Sequence, residues 1–370
     1  MQNIVKQCVV VAMSGGVDSS LAAALLHEEG HRVIGVTMKL WDYENVGGNF
    51  NRDSACCNVE TMADARHVCD SLGVPHYVVD LRGTFEKLVI DDFVGEYARG
   101  NTPNPCVRCN THVKWKALFY KARQLGADMI ATGHYARISR SETGGAQLMK
   151  SVDDHKDQSY ALWGLTPETV ECTLLPIGEL TKDQTRQMAS ERELKSADTP
   201  ESQDICFVVD DDYRRFLRER IGDDARSLPA LQPGVVVDGD GSVIAEHQGT
   251  ANYTIGQRKG LGVAVGRPQY VTAIDTPNGT VTIGDPGSLV ADGLMAEDAN
   301  WISGTPPTTD QEVVAKIRYN DAGQSAHVVV SGSEMKVDFV EPVRAVTPGQ
   351  SVVLYDGDAV LGGGVIVSPA

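Results

Sequence analysis

The sequence predicts an α/β fold in which a doubly wound parallel sheet is followed by a small β domain and a carboxyl-terminal β-barrel. The first observation is an alternation of short β-branched runs with amphipathic helical patterns over residues 8–132. The second is a change of texture near residue 230, after which glycine and proline turns separate short β-branched runs. A chain of 370 residues also exceeds one ordinary core, so we expect domains at 1–221, 222–287 and 288–370.

A strand, a tight turn and a helix near the start form the most informative stretch of the chain. Residues 8–12 are an apolar run, and two adjacent glycines separate it from a helical pattern that Gly30 closes. The polar side chains at this helix start are Ser14, Asp18 and Ser19. Because the first N–H groups and the dipole of a helix favour an anion, we expect the turn to bind a phosphate chain.

The motif itself indicates the type of phosphate site. It lacks the Gly-Lys-Ser/Thr of a Walker loop and the G-x-G-x-x-G of a dinucleotide loop. Residues 14–19, SGGVDS, instead resemble the SGGxDS signature of the PP-loop ATP pyrophosphatases. That resemblance implies cleavage of ATP to AMP and diphosphate while an acceptor oxygen is activated as its adenylate. The alternative interpretation is a glycine–serine turn in an ordinary α/β unit.

The elements that follow alternate as a doubly wound sheet requires. Predicted strands cover residues 32–38, 75–81 and 129–132. Predicted helices cover residues 61–72, 84–99, 113–125, 181–194 and 213–222. A hairpin is predicted over 136–152. Ligands bind at the carboxyl ends of parallel strands, so we expect the glycine turn, Met38 and Gly133–His134 to share one crevice.

The charge distribution is compatible with a nucleic-acid partner in spite of an acidic composition. The net charge is −17, which by itself disfavours RNA binding. Residues 97–160, however, carry ten lysines and arginines against five acids. A local basic strip suffices for phosphate contacts, although such a strip is also typical of a solvated surface.

Targeting patterns are not recognisable, so a cytoplasmic location without membrane association is expected. Residues Met1–Gln7 lack the pattern of a signal peptide, and no apolar run approaches the roughly 18 residues of a membrane span. The eight cysteines are unevenly spaced, which argues against a secreted disulfide framework and favours thiol or metal chemistry.

Cys106 and Cys109 are candidates for that chemistry. They form a C-x-x-C pair in a proline-stiffened loop, 101–110, ahead of a predicted helix. A thiol at a helix N-terminus beside Arg108 is expected to have a lowered pKa and thiolate character. The pair is compatible with a redox pair, a zinc knuckle or an iron–sulfur site.

The remaining cysteines fall into three groups. Cys206 lies in a second polar stretch, 202–207. Apolar or helical surroundings predict buried packing roles for Cys8, Cys69 and Cys172. Cys56 and Cys57 lie in a polar loop and receive no assignment.

Several motifs together resemble one family. The motifs are SGGVDS (14–19), TPNPCVRCN (102–110), GHYA (133–136), KDQSY (156–160), ICF (205–207), YTIGQRKG (253–260) and Arg318-Tyr319. In this order, and over nearly the whole chain, they resemble the tRNA-specific 2-thiouridylases. The resemblance implies a PP-loop catalytic domain, a small central β domain and a carboxyl-terminal β-barrel, which agrees with the change of texture near residue 230.

The resemblance implies a sulfur transfer to tRNA. Sulfur replaces the C2 oxygen of the wobble uridine in tRNAs for Lys, Glu and Gln, after ATP (with Mg²⁺ expected) has adenylated that oxygen. Cys206 matches the cysteine that carries a persulfide from an upstream sulfur-relay protein. Cys109 matches the nucleophile that assists sulfur release and ends in a disulfide with Cys206. This chemistry is sensible because AMP is a good leaving group and a persulfide is a strong nucleophile, and the base must be flipped out of its stack.

The matched positions form two sets. Those that would bind ATP are Ala12, Met13, Ser14, Gly15, Gly16, Val17, Asp18, Ser19, Met38 and Gly133. Those that would contact tRNA are Asn104, Pro105, Cys106, His134, Lys156, Asp157, Gln158, Arg318, Tyr319 and Gln350. Without the resemblance, a structural hydrogen-bonding role would explain His134 equally well. Lys156 and Arg318-Tyr319 could equally be ordinary surface residues.

One position departs from the family pattern. Many members carry aspartate, with a catalytic or base-contacting role, where this chain has Cys106. Cys106, Cys109 and Cys206 therefore offer three thiolates for an iron–sulfur cluster with one open iron for a sulfide donor. The competing hypothesis is that they are redox cysteines without a metal.

Two other classes of function are compatible with parts of the sequence. An ATP-dependent ligase or amidotransferase acting on a small molecule would also carry SGGxDS, although no glutaminase domain is recognisable here. A non-catalytic RNA-binding protein with a cysteine–metal knuckle would explain the basic strip but not the SGGVDS turn.

Overall fold

The structure, a computed structural model, describes residues 6–42, 59–141, 145–195, 205–208, 210, 212–222, 228–263 and 266–370. The strands of its amino-terminal part are β1 (Cys8–Ala12), β2 (Arg32–Lys39), β3 (His76–Asp80), β4 (Met129–Ala131), β5 (Ala136–Ser141), β6 (Gly145–Lys150) and β7 (Thr173–Leu174). The later strands are β8 (Gly234–Val237), β9 (Val243–His247), β10 (Tyr270–Asp275), β11 (Thr280–Gly284), β12 (Val290–Trp301), β13 (Val313–Lys316), β14 (Gln324–Ser331), β15 (Glu334–Arg344), β16 (Ser351–Asp356) and β17 (Ala359–Pro369).

The α-helices among the described residues lie in the amino-terminal part. They are α1 (Val17–Glu28), α2 (Val59–Leu72), α3 (Arg82–Phe85), α4 (Asp91–Arg99), α5 (Pro105–Arg108), α6 (Trp115–Gln124), α7 (Pro167–Glu171), α8 (Lys182–Glu191) and α9 (Tyr213–Ile221). None of these described helices combines the length and the apolar composition that crossing a bilayer requires.

Five described strands form one parallel sheet in the order β3-β2-β1-β4-β7. The side chains of β1 alternate between two cores. Val9 and Val11 pack with α1, α2 and α8, whereas Val10 packs with α6 on the other face. All three are fully buried, as is typical of a strand covered on both faces. The predicted doubly wound parallel sheet is confirmed.

The helix that carries the C-x-x-C pair starts earlier than the sequence predicts. α5, a π-helical turn over 109–114 and α6 follow one another without a break, so residues 105–124 form one helical run. The expectation of a loop over 101–110 is therefore wrong in its second half. Pro105 occupies the first helical position, where a missing N–H costs nothing, and the Asn104 side chain accepts a hydrogen bond (3.2 Å) from the helix.

The other predicted amino-terminal elements occur with shifts of a few residues at their ends, whereas α7 and β7 were not predicted. The predicted 84–99 helix consists of α3, a π-helical turn over 86–90 and α4. The start of α8 is a capping box, because the side chains of Thr181 and Gln184 each accept a hydrogen bond from the backbone N–H of the other.

The carboxyl-terminal part contains a closed antiparallel barrel. Its described strands follow the order β12-β15-β14-β13-β16-β17, and β12 also pairs with β17. The predicted β5–β6 hairpin extends this sheet through a pairing of Met149 with Ala359. A smaller sheet, β10-β11-β8-β9, precedes the barrel in the chain and turns at Asn278-Gly279. The expected small β domain and barrel are both present.

The barrel packs against the face of the parallel sheet that α6 also covers. Val353 and Tyr355 of β16 share an apolar cluster with Trp115 of α6 and with Tyr160. The Tyr160 side chain is fully buried, and its hydroxyl donates a hydrogen bond to Ser351 O at 2.7 Å. This bond joins the amino-terminal part to the barrel.

Replacing Tyr160 with phenylalanine removes the hydroxyl and keeps the packed ring. Because a buried hydrogen bond is lost, we expect the free energy of unfolding to fall by about 1 kcal/mol. Urea unfolding followed by tryptophan fluorescence measures the change. Tyr120→Phe is the control, since the Tyr120 side chain is 68% exposed. Equal stability of the two variants would contradict a role for the Tyr160 hydroxyl.

Candidate active site

The turn between β1 and α1 forms a cradle suited to phosphate. The hydroxyls of Ser14 and Ser19 lie 3.1 Å apart across it, and Ser14 N–H donates to Ser19 Oγ at 3.2 Å. Gly15 has a φ of 81°, and a Cβ at this residue would lie 2.2 Å from Thr61 O, so only glycine fits. Gly16 occupies the N-cap of α1 and has no side chain to cover the first N–H groups of the helix. Those N–H groups can meet an anion.

Asp18, in the first turn of α1, is held by two residues from other segments. Tyr135 OH donates to Asp18 Oδ1 at 3.0 Å, and Lys182 Nζ donates to the same oxygen at 2.8 Å. Lys182 is only 7% exposed and stands at the first position of α8, where the helix dipole disfavours a cation. A buried ammonium group in this place requires its carboxylate partner. Asp18 therefore fastens the cradle to α8 and to the segment after β4.

The neighbouring strands also support the cradle at their carboxyl ends. Gly133, which follows β4, packs directly against the start of α1. A Cβ at this residue would lie 2.6 Å from Ser19 N. Near the end of β2, the buried Thr37 hydroxyl donates to Met13 O at 2.8 Å. That bond uses the only hydroxyl proton of Thr37, so His76 Nε2, 2.8 Å from the same hydroxyl oxygen, must be the donor in their contact.

His134, after Gly133, is neutral in its surroundings. Burial, and next the positive charge of Lys114, lowers the pKa of His134 to about 3. Its Nδ1 lies 2.9 Å from Thr132 Oγ1, and its ring centre lies 5.0 Å from that of Trp115. A neutral imidazole in this crevice offers a ligand a hydrogen bond rather than a charge.

The structure brings two predicted cysteines into one apolar cluster. Cys109 is buried there, and Cys206 packs partly buried against the same aromatic side chains. These aromatic residues are Phe85, Phe93, Phe207 and Phe216, with ring centres 5.2–6.2 Å apart in the contacting pairs. Met38, at the carboxyl end of β2, packs against this cluster as well. Cys109, Cys206 and Met38 therefore lie at the sheet edge that carries the cradle.

The three thiols considered as iron–sulfur ligands do not form a ligand set. Cys106 is exposed in the first turn of the helical run, whereas Cys109 is buried. Within the described ranges, which include Cys206, no three histidine, cysteine, aspartate or glutamate side chains are arranged to hold a metal ion. These described side chains therefore do not fit an iron–sulfur cluster in this conformation. Cys8, Cys69 and Cys172 are thiols in the structure.

Two of the three cysteines predicted to pack in the core do so. Cys8 and Cys69 are buried, and burial raises the pKa of Cys69 to about 11. Cys172 is only partly buried, because it lies at the exposed carboxyl end of the short helix α7. Cys56 and Cys57, which received no role, lie outside the described residues.

Asp157 and Gln158, both expected to contact tRNA, have hydrogen-bond partners within the chain. Asp157 Oδ1 accepts hydrogen bonds from two backbone N–H groups of its own loop at 3.0 and 3.1 Å. Gln158 Oε1 accepts a hydrogen bond from Tyr135 N at 2.9 Å. Lys156 is partly buried beside them. This loop consequently positions the segment that contains His134 and Tyr135.

Tyr319 of the barrel lies near positions on other elements that were expected to contact tRNA. Burial, followed by the negative charges of Asp157 and Cys106, raises the pKa of Tyr319. Its side chain is 43% exposed, and its ring centre lies 6.2 Å from that of Tyr160. The neighbouring Arg318 is exposed and donates a hydrogen bond to a backbone oxygen of the barrel.

Gln350 of the barrel contacts the loop before the cysteine pair. Gln350 Nε2 donates to Thr102 O at 2.9 Å and to Pro103 O at 3.4 Å. Asn104 and Pro105 come next and start the helical run. These predicted positions therefore meet at one junction between the amino-terminal part and the barrel.

Sequence reasoning missed three residues that support the cradle, namely Lys182, Tyr135 and Thr37. The sequence does contain a sign of the role of Lys182, because a lysine directly after a helix N-cap is unfavourable to the helix dipole and suggests an anionic partner. Thr37 is a hydroxyl in an otherwise apolar strand, which also indicates a specific hydrogen bond. The partners of both residues are distant in sequence, so no local pattern identifies them.

Family models match the chain in three parts. A model described as "tRNA methyl transferase HUP domain" matches residues 7–210, which is more than half of the chain. A model described as "tRNA methyl transferase PRC-barrel domain" matches residues 225–285. A third, "Aminomethyltransferase beta-barrel domain", matches residues 291–366.

Curated relatives match over almost the entire length. The tRNA-specific 2-thiouridylase MnmA of Geotalea uraniireducens (strain Rf4) is 48% identical over 368 residues, which are 99% of this chain and 96% of the relative. The protein of the same name from Carboxydothermus hydrogenoformans (strain ATCC BAA-161 / DSM 6008 / Z-2901) is 48% identical and covers 99% of both chains. That from Clostridioides difficile (strain 630) is 45% identical and covers 97% of both.

Proposed function

The chain belongs to the tRNA-specific 2-thiouridylase family, and we propose that it replaces the C2 oxygen of a tRNA uridine by sulfur in a reaction driven by ATP. The observation that best supports this mechanism is that a phosphate cradle and two thiols, Cys109 and Cys206, lie at one edge of the parallel sheet. Activation of an oxygen and delivery of sulfur to the same carbon require both parts in one crevice. We assign this chemistry to residues 1–221, followed by a central domain at 222–287 and a barrel at 288–370.

The residues of the cradle fit the phosphates of ATP. We propose that Ala12–Ser19 bind them through backbone N–H groups and serine hydroxyls, with Gly133 and Met38 beside the nucleotide. Lys182, which reaches Asp18 Oδ1 at 2.8 Å, supplies the positive charge that phosphate requires. Mg²⁺ prefers oxygen ligands, and the Asp18 carboxylate supplies one. Bound ATP provides the AMP leaving group that a uracil oxygen needs.

The two cysteines divide the sulfur transfer between them. The terminal sulfur of a Cys206 persulfide attacks C2 of the adenylated uridine, and the C2–O bond breaks so that AMP leaves with the oxygen and the bonding electrons. The Cys109 thiolate then attacks the Cys206 sulfur, and the electron pair of the broken S–S bond stays on the uridine sulfur. The products are 2-thiouridine and a Cys109–Cys206 disulfide, which a thiol reductant reopens.

The proposed substrate is the wobble uridine of the tRNAs for lysine, glutamate and glutamine. A base must leave its stack to reach an enclosed site. Neutral His134 offers a hydrogen bond to the base, and the exposed ring of Tyr319 offers a stacking surface. The other positions assigned to the RNA are Asn104, Pro105, Cys106, Lys156, Asp157, Gln158 and Arg318, whereas the amide of Gln350 donates to Thr102 O and Pro103 O within the chain.

The sulfur on Cys206 requires an outside source. We propose an upstream relay protein that donates a persulfide in the cytoplasm. The partly exposed position of Cys206 supports such an exchange, because a thiolate must reach the donor sulfur.

The Cys206→Ser variant tests the sulfur carrier. We expect transfer from a persulfide donor to fall on the order of a thousandfold, because the attacking sulfur has no attachment point, while ATP binding is unchanged. Thionucleoside analysis of the digested tRNA measures the product. Cys172→Ser is the matched control, with wild-type activity expected. Normal thiolation by Cys206→Ser would refute the assignment.

The Cys109→Ser variant tests the second sulfur step separately. Without the Cys109 thiolate, the uridine sulfur should remain attached to Cys206, so that a protein–RNA adduct accumulates and dithiothreitol cleaves it. A denaturing gel with labelled tRNA detects the adduct. Release of thiolated tRNA at the wild-type rate would contradict the role of Cys109.

The Lys182→Met variant tests the phosphate contact. We expect kcat/KM for ATP to fall by roughly ten- to a hundredfold, since a charge-assisted contact is lost. Lys195→Met is the control, because the Lys195 side chain is 70% exposed. Lys182→Met alone leaves the Asp18 carboxylate without its ammonium partner. The double variant Asp18→Asn/Lys182→Met removes that charge, and we expect it to be more stable than Lys182→Met but no more active. An unchanged kcat/KM for ATP in Lys182→Met would exclude the contact.

A further inference from the structure

The loop of residues 101–104 precedes α5 and is fixed by hydrogen bonds to the barrel and to the central β domain. Thr102 N–H donates to Pro348 O of the barrel at 2.9 Å, and Gln350 Nε2 donates to Thr102 O at 2.9 Å. The two segments thus exchange hydrogen bonds in both directions. The central β domain adds a contact of 3.2 Å between the hydroxyls of Thr102 and Thr254. Three parts of the chain therefore meet at this loop.

The composition of the loop explains why it depends on these contacts. Pro103 within the loop and Pro105 directly after it have no backbone N–H group, which leaves this stretch with fewer donors than carbonyl acceptors. Its carbonyl groups must be satisfied by other segments. The Gln350 side chain does this for two consecutive carbonyls, with Pro103 O as the second acceptor at 3.4 Å.

The loop leads directly into the helix of the cysteine pair. The Asn104 side chain accepts the N–H of Val107 at 3.2 Å and starts the helical run of residues 105–124. Cys106 and Cys109 lie in the first two turns of that run. A displacement of the loop consequently shifts the start of the helix and, with it, both thiols.

We propose that Gln350 is a positioning residue, through which the carboxyl-terminal barrel sets the placement of Cys109 for the sulfur step; this rests on the function proposed above. The side-chain amide of Gln350 donates its hydrogen bonds to the carbonyl groups of Thr102 and Pro103. Gln350 therefore acts on the reaction through the loop and the helix start. The barrel contributes to catalysis at a distance, in addition to any surface that it offers to RNA.

The Gln350→Glu and Gln350→Met variants of the full chain test this role without tRNA or ATP. A carboxylate at 350 faces two carbonyl oxygens and repels them, whereas methionine only removes the donors. We expect alkylation of buried Cys109 by iodoacetamide at pH 8 to accelerate about tenfold in Gln350→Glu and less in Gln350→Met. Trypsin cleaves after Arg108 and separates Cys106 from Cys109, so mass spectrometry of the two peptides reports each thiol.

Two controls separate a local shift from general loosening. Gln324→Glu places the same charge on an exposed position of the barrel and should leave Cys109 alkylation at the wild-type rate. Cys69, buried in another core cluster, is the internal reference, because global opening would accelerate its alkylation together with that of Cys109. A faster reaction at Cys109 alone supports the proposal. Unchanged Cys109 alkylation in Gln350→Glu, or equal acceleration at Cys69, overturns it.

Kinetics at saturating tRNA then connect the shift to the reaction. A positioning role predicts that kcat for thiolation falls about tenfold in Gln350→Glu with little change in KM for tRNA. A higher KM with an unchanged kcat would make Gln350 a direct tRNA contact and overturn the proposal. Failure of the wild-type protein to thiolate tRNA would refute the proposed function instead, and the alkylation result would still decide whether the barrel positions Cys109.

Discussion

The ion pair of buried Lys182 with the partly exposed Asp18 is the interaction on which the nucleotide cradle depends. An ammonium group at the start of a helix is disfavoured both by the dipole and by burial, so it persists only with an anion beside it. Asp18 supplies that anion, and the Tyr135 hydroxyl fixes the same oxygen. The pair joins the cradle to α8 and to the segment after β4. An entering phosphate chain provides a second anion for the same lysine.

The other half of the site has the opposite character. Cys109 is buried among phenylalanine rings above the sheet edge, and Cys206 packs partly buried against the same cluster. Water that attacks the activated uridine before sulfur does would return the original base. Apolar surroundings therefore favour sulfur transfer. Met38 packs against this apolar cluster from the carboxyl end of β2, the strand next to the one that leads into the cradle. The proposed reaction needs both environments, a polar one for ATP and an apolar one for the sulfur step.

Local patterns were sufficient to predict the elements, but not the contacts between distant segments. The alternation of β-branched runs and helices predicted the parallel sheet, and the Thr181–Gln184 spacing predicted the start of α8. The helix start at Pro105 was missed because two prolines indicated a loop, although a proline also suits the first helical position. The docking of the β5–β6 hairpin on β17 depends on residues about two hundred positions apart, which no local pattern contains.

The same limit applies to the candidate site. SGGVDS and the C-x-x-C pair were visible because their residues are adjacent in the chain, and the structure brings Cys206 to the cluster of Cys109 across about a hundred residues. The ammonium group of Lys182 was not visible, since its role depends on a carboxylate 164 residues away. The iron–sulfur hypothesis rested on spacing in the same way, and in the structure Cys106 is exposed whereas Cys109 is buried.

The proposed reaction depends on activation by ATP of the oxygen that sulfur replaces. An anticodon stem-loop RNA carrying ¹⁸O at C2 of the wobble uridine tests this most directly, with AMP from a single turnover analysed by mass spectrometry. We expect one ¹⁸O atom in the phosphate of AMP for each 2-thiouridine formed. Thiolated RNA accompanied by unlabelled AMP would contradict it.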